Sequence, residues 1–133
     1  KRKGGSRMNF DGEKPIYLQI AEQIEDAILT EAFPEETQIP STTEISATYR
    51  INPATALKGI NRLVEEGMVY KKRGLGMFVS RGAKEKIMEK RKRDFYANFV
   101  VSLLEEAEKL GITRRELAAM IEEEETGHES TDL

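Results

Sequence analysis

The sequence predicts a mainly α-helical fold with one small β-hairpin, and three observations predict it. Apolar residues recur at helical spacing through most of the chain. Two capping boxes and one Asn-Pro pair mark helix starts. One pair of short β-prone runs flanks a glycine-containing turn. The 133 residues amount to one domain with a short appendage.

Residues 1–7 (KRKGGSR) read as an appended, disordered segment ahead of a natural start at Met8, and they contribute nothing to the fold. From Pro15 the run PIYLQIAEQIEDAILTEAF places Ile16, Ile20, Ile24, Ala27 and Ile28 at helical spacing. Proline suits the first turn, and this helix should fade before Pro34. Ser41-Thr42-Thr43-Glu44 is a capping box, in which serine and glutamate satisfy each other's free backbone donors. The helix it opens is short and ends at Tyr49 or Arg50. Asn52 as N-cap and Pro53 at the first helical position start the next one. Its inner face carries Ala56, Ile60, Leu63 and Val64, and Gly67 stops it as a left-handed cap. Two helices so closely spaced make a helix-turn-helix, with the second as the reading helix.

Residues 68–72 and 77–80 are β in character and flank Arg73-Gly74-Leu75-Gly76. A hairpin directly after a helix-turn-helix is a wing. Residues 83–110 contain no proline or glycine and put Phe95, Phe99, Leu103, Ala107 and Leu110 on one stripe, which Gly111 ends. Thr113-Arg114-Arg115-Glu116 is a second capping box, opening a shorter helix with Leu117, Ala118 and Ile121 inward. From Glu122 onward nothing asks for burial, so fraying is expected, and residues 123–133 read as an acidic flexible tail. The architecture is therefore an N-terminal winged helix-turn-helix over residues 8–82, followed by a two-helix C-terminal dimerisation segment over residues 83–122. Two helices of this size enclose no ligand cavity by themselves, and their apolar stripe wants a partner.

Composition removes several functions. There is no cysteine, so thiolate metal sites and thiol catalysis are excluded. The single histidine, His128, stands in the polar tail, which argues against imidazole metal sites and histidine triads. Gly74-x-Gly76 is a hairpin turn and not a nucleotide-binding loop, because no helix follows it. The expectation is a non-enzyme without metal or cofactor. No run approaches a membrane span and no signal peptide is present, so a cytoplasmic location without a membrane partner is expected.

The net charge of −3 conceals an asymmetry. Residues 58–93 hold 12 basic and 4 acidic side chains, whereas residues 105–133 hold 3 basic and 10 acidic. A basic middle of this kind is the footprint of a polyanion-binding surface. On the third helix Ala54, Thr55, Lys58, Asn61 and Arg62 cluster opposite the apolar face. A major groove admits such a helix, small and polar near its start and basic further along. The wing adds Lys71, Lys72 and Arg73, with Gly74 and Gly76 letting the backbone approach phosphates or enter a narrow minor groove.

The succession PIYLQIAEQI, IPSTTEIS, INPATALKGINRLVEEG and MVYKKRGLGMFVS resembles the GntR family of bacterial transcription regulators over roughly residues 15–80. Asn-Pro at the start of the third helix and the short helical tail make it most similar to the YtrA-like subfamily. The 51 residues after Gly82 are too few for the larger effector-binding domains of other GntR branches. The resemblance implies that the C-terminal helices are a dimerisation unit, carried here by Phe95, Phe99, Leu103, Leu110, Leu117 and Ile121. Ser41, Asn52, Thr55, Lys58, Arg73, Gly74 and Gly76 match family positions that contact DNA. Two positions depart: the family usually has arginine where Thr43 stands, and commonly glycine where Arg50 stands. The turn at Arg50 is therefore either strained at positive φ or different in shape.

The expected function is a sequence-specific DNA-binding regulator, a repressor, that meets a palindromic double-stranded operator as a homodimer through the third helix and the wing. Its expected DNA-binding residues are Ser41, Thr43, Arg50, Asn52, Ala54, Thr55, Lys58, Arg62, Lys72, Arg73, Gly74 and Gly76. The alternative is a winged-helix module that binds protein and not DNA, which fold alone does not exclude. The operator, the regulated genes and any small-molecule effector are left open by the sequence.

Overall fold

A computed structural model describes residues 14–132, with side chains described over residues 14–124. The segment 1–7 and the side chain of His128 lie outside those ranges. The elements run α1 (Ile16–Leu29), α2 (Thr42–Tyr49), α3 (Pro53–Glu65), β1 (Val69–Lys72), β2 (Gly76–Val79) and α4 (Ala83–Phe95). A π-helical segment (Tyr96–Val100), α5 (Val101–Lys109) and α6 (Arg114–Asp132) complete the chain. No described helix is long and apolar enough to cross a membrane. The chain divides into two compact units after Glu89.

In the first unit, α1 packs on α3, α2 packs on α3, and β1 follows directly from α3. Ile20, Ile24 and Ile28 of α1 meet Ile45 of α2 and Ala56, Ile60 and Leu63 of α3 in one buried cluster. Val69 and Val79 close it from the hairpin, and Ala83 and Ile87 from the start of α4, so the unit extends past Gly82. The helix starts follow local chemistry. The Ser41 and Glu44 capping box is complete, with reciprocal bonds of 3.1 and 2.8 Å. Thr113 and Glu116 repeat it at 3.1 and 2.8 Å.

The hairpin is antiparallel, pairing Val69 with Val79 and Lys72 with Gly76. It is not isolated. The Glu36 and Ile39 N–H groups donate to the Val79 and Met77 carbonyls at 2.8 and 2.9 Å, and the Val79 N–H donates to the Thr37 carbonyl at 2.9 Å. Gln38 thus bridges Phe78 as a single-residue third strand. The run Glu36–Ile39 has no period-2 pattern, which is why the sequence did not announce it.

Four residues placed on inner faces by their helical spacing are exposed. Val64 is exposed, and Gly59 is buried instead on the inner face of α3. A Cβ at Gly59 would stand 2.8 Å from the Tyr17 carbonyl oxygen and 3.2 Å from Ile20 Cβ, so glycine is what lets α1 and α3 approach. Ile16 is exposed at the start of α1, and Glu25 is buried on the same helix. Among the described side chains of α6 only Leu117 turns inward, while Ala118 and Ile121 are exposed.

In the second unit the stretch expected as one plain α-helix contains the π-helical segment. A π-bulge inserts a residue into the helical ladder, so a stripe drawn at 3.6 residues per turn does not hold one face across it. Of the expected stripe only Ala107 is buried, while Phe95, Phe99, Leu103 and Leu110 are exposed. The backbone of α6 runs on to Asp132 instead of fraying at Glu122.

Candidate nucleic-acid interface

The expected DNA-contacting residues all belong to the first unit and are exposed, except for half-buried Thr55 and Gly76. They fall at the start of α2, along α3 and on the hairpin. Ser41 is the N-cap of α2, and its hydroxyl oxygen accepts from the Glu44 N–H at 3.1 Å. Capping uses the acceptor and leaves the O–H as a donor. Asn52 repeats this at α3: its Oδ1 accepts from the Ala54 N–H at 2.7 Å, and the side-chain NH2 keeps its two donors. Both N-caps thus present donors beside helix N-termini, where backbone N–H groups also favour anions. Thr43 is exposed in the first turn of α2 and brings a hydroxyl, not a guanidinium, to that point.

Arg50 resolves the open question at the turn. It takes φ 55° and ψ 52°, the left-handed region, as C-cap of α2. The turn is held without its side chain: the Ile51 N–H donates to the Ser46 carbonyl at 3.1 Å, and Ser46 Oγ donates to the Ile51 carbonyl at 2.6 Å. The turn keeps the shape that glycine would adopt, at the cost of backbone strain.

On α3, Ala54, Thr55, Lys58, Asn61 and Arg62 span an arc of about 120° at 100° per residue. Lys58 is steadied by a contact the sequence did not reveal, with its Nζ 4.3 Å from the centroid of the Tyr17 ring on α1. A cation over an aromatic face is held while its charge remains available to solvent. Arg62 is less free, because its Nε donates to Glu66 Oε2 at 3.0 Å. That bond and the Glu66 charge raise the Arg62 guanidinium above its ordinary value, so it stays charged but partly neutralised. Glu65 falls in the same arc two turns beyond Lys58, so the first two turns of α3 form its most polyanion-compatible part.

On the hairpin, Lys72 Nζ lies 4.4 Å from the Phe78 ring centroid, and Arg73 is exposed at the turn. Gly74 has φ 77° and open space where a Cβ would stand. Gly76 has φ 127°, and a Cβ there would collide with the Gln38 side-chain nitrogen. Gln38 explains that tight approach: its Nε2 donates to the Leu75 carbonyl at 2.6 Å. Neither Gln38 nor Tyr17 stood out in the sequence, because each acts on residues far along the chain.

The six residues assigned to dimerisation divide. Phe95, Phe99, Leu103, Leu110 and Ile121 are exposed, with Phe99 and Leu110 at 64 and 65%, whereas Leu117 is only 8% exposed within its own unit. The Phe95 and Phe99 rings lie 5.5 Å apart across the π-helical segment, and exposed Tyr96 adjoins them. Among the described residues no group of three or more His, Cys, Asp or Glu could hold a metal ion.

Residues 16–79 match the family model described as bacterial regulatory proteins, gntR family. The chain is 30% identical over 110 residues to the uncharacterized HTH-type transcriptional regulator YhcF of Bacillus subtilis (strain 168), covering 81% of this chain and 88% of that protein. It is 32% identical over 75 residues to the HTH-type transcriptional repressor YtrA of the same organism, covering 56% of this chain and 58% of that one. A crystal structure of a putative GntR-family transcriptional regulator from Bacteroides thetaiotaomicron superposes with TM-score 0.74 at 36% identity, covering 85% of this chain and 98% of that one.

Proposed function

This chain belongs to the GntR family of bacterial regulatory proteins, with a YtrA repressor among its relatives, and on that premise we propose that it represses transcription by binding a palindromic operator as a homodimer. Its relatives are transcriptional regulators and not enzymes, and it is itself a DNA-binding regulator. In the proposed complex residues 8–82 bind DNA. The first two turns of α3 enter the major groove, with Thr55 and Lys58 toward bases or phosphates, and Arg62 follows once it exchanges Glu66 for phosphate. Ser41, Thr43, Arg50 and Asn52 hold the phosphate backbone, and Lys72 and Arg73 carry the wing to the adjacent minor groove past Gly74 and Gly76. Residues 83–122 join two copies, and a two-fold dimer matches a two-fold operator.

The observation that carries this reading is the pair of N-caps, Ser41 and Asn52, each using its acceptor on its own helix and keeping its donors exposed, in the same unit as Lys58 and the basic hairpin. For the second segment the support is the exposed aromatic and leucine surface around Phe95, Phe99 and Leu103, larger than single scattered apolar residues. Selection of duplexes from a random pool by the full chain should return a two-fold symmetric site. Light scattering should give twice the chain mass, and Phe99→Asp with Leu103→Asp should give monomers that bind that site much more weakly, because linked half-site binding is lost. No enrichment from the pool would instead favour a module that binds protein.

A further inference from the structure

The wing tip carries a side chain that phosphate binding does not use. Leu75 stands between Gly74 and Gly76, beside the cations Lys71, Lys72 and Arg73, and is 63% exposed. Nothing in the turn asks for leucine, since the turn uses only its backbone. The Leu75 N–H donates to the Lys72 carbonyl at 2.9 Å, and its carbonyl accepts from Gln38 Nε2 at 2.6 Å. Gln38 is anchored in turn by its bridge to Phe78 on β2. The residue at the tip is thus fixed at both its amide and its carbonyl, while Gly74 beside it leaves open space. An apolar group held rigidly at the end of a slim basic projection is built to enter a narrow, negatively charged cleft and touch its floor.

We propose that Leu75 is a base-discriminating residue, packing on the floor of the minor groove and disfavouring guanine, and that Gln38 is the positioning residue that holds it there. This rests on the DNA-binding reading above. In the minor groove A·T pairs show only acceptors, and G·C adds the guanine N2 amino group. An isobutyl group cannot accept a hydrogen bond from that amino group. Over a G·C pair it therefore meets extra bulk and strips water from a donor it leaves unpaired, which is costly. Over A·T it meets a flat floor in a groove that is already narrow and attracts the neighbouring arginine. The tip thus adds direct base discrimination to a wing whose cations sense only phosphate and groove width.

The test uses the full chain and a duplex it selects from a random pool, resynthesised with its outer flanking pairs as A·T, G·C or inosine·C. Inosine lacks the N2 amino group. Wild type should prefer A·T and inosine·C over G·C by about tenfold, the usual scale of one mismatched contact. Leu75→Ser and Gln38→Ala should bring that preference close to one while leaving the salt dependence unchanged, because neither removes a charge. A purely structural role for Gln38 would instead lower affinity on all three duplexes equally and keep the preference. A Leu75→Ser chain with undiminished preference, or a wild type that penalises inosine·C as strongly as G·C, would overturn the proposal. Failure to select any duplex would overturn the DNA-binding reading with it.

Discussion

Replacing Arg50 by glycine should make the protein more stable and a weaker DNA binder at once. Arg50 takes φ 55° and ψ 52°, where a residue with a Cβ costs about 1–2 kcal/mol relative to right-handed backbone. Glycine meets no such cost but loses about 0.5–1 kcal/mol more through its freer unfolded state. The difference favours Arg50→Gly by about 0.5–1 kcal/mol. No hydrogen bond of the turn is lost, since those to Ser46 and Ile51 use the backbone and the Ser46 hydroxyl. In a domain of this size about 1 kcal/mol moves Tm by about 4–8 °C, so a rise of about 2–8 °C is expected. Loss of one phosphate-facing cation should lower the slope of log K against log salt by about 0.9. Arg50→Ala separates the two effects: it removes the charge but keeps the left-handed strain, so its Tm should stay close to wild type while its binding matches Arg50→Gly. Calorimetric melts and anisotropy titrations at several salt concentrations measure both. A Tm for Arg50→Gly at or below wild type would refute the strain argument, and unchanged binding in both variants would remove Arg50 from the DNA surface.

Gly59→Ala should destabilise the first unit by about 1–3 kcal/mol despite alanine's better helix propensity, because the new methyl would stand 2.8 Å from a backbone oxygen of α1 that has no rotamer to escape through; denaturant titration checks it, and a stabilised variant would mean that α1 shifts freely. Glu35 accepts the Gly82 and Lys84 N–H groups at 2.9 and 3.2 Å, and these bonds hold its carboxyl below the ordinary value of 4.5. A depressed folded pKa means the contribution is present above about pH 4.5 and is lost as pH falls through the folded value. Glu35→Gln should therefore be less stable than wild type at pH 7, and the gap should close in melts taken below pH 4.5; a gap independent of pH would contradict it.

What was legible in the sequence shares one physical property: it closes within a turn of chain. Ser41 with Glu44, Asn52 with Ala54 and Thr113 with Glu116 lie two or three residues apart, so side-chain chemistry alone sets where α2, α3 and α6 begin. The positively charged middle and the hairpin around Gly74 and Gly76 were legible for the same reason, since charge runs and turn residues are local. The candidate interface inherited this legibility, because most of it hangs on those helix starts and that turn.

The remainder was decided by contacts the chain makes with itself at a distance. At Arg50 the sequence left strain and altered shape equally open, and the packed helix-turn-helix imposed the left-handed turn. Val64 is exposed and Gly59 is buried because burial on α3 depends on how closely α1 approaches, which the helical period does not encode. Tyr17 beneath Lys58 and Gln38 behind Leu75 reach across 41 and 37 residues, and no spacing rule links such pairs. By itself the sequence determined where helices begin and which residues carry charge, because both are fixed by neighbours along the chain. Only the tertiary structure decided which of those charges and tips are held in place, because their partners, such as Tyr17 for Lys58 and Gln38 for Leu75, are brought together by folding alone.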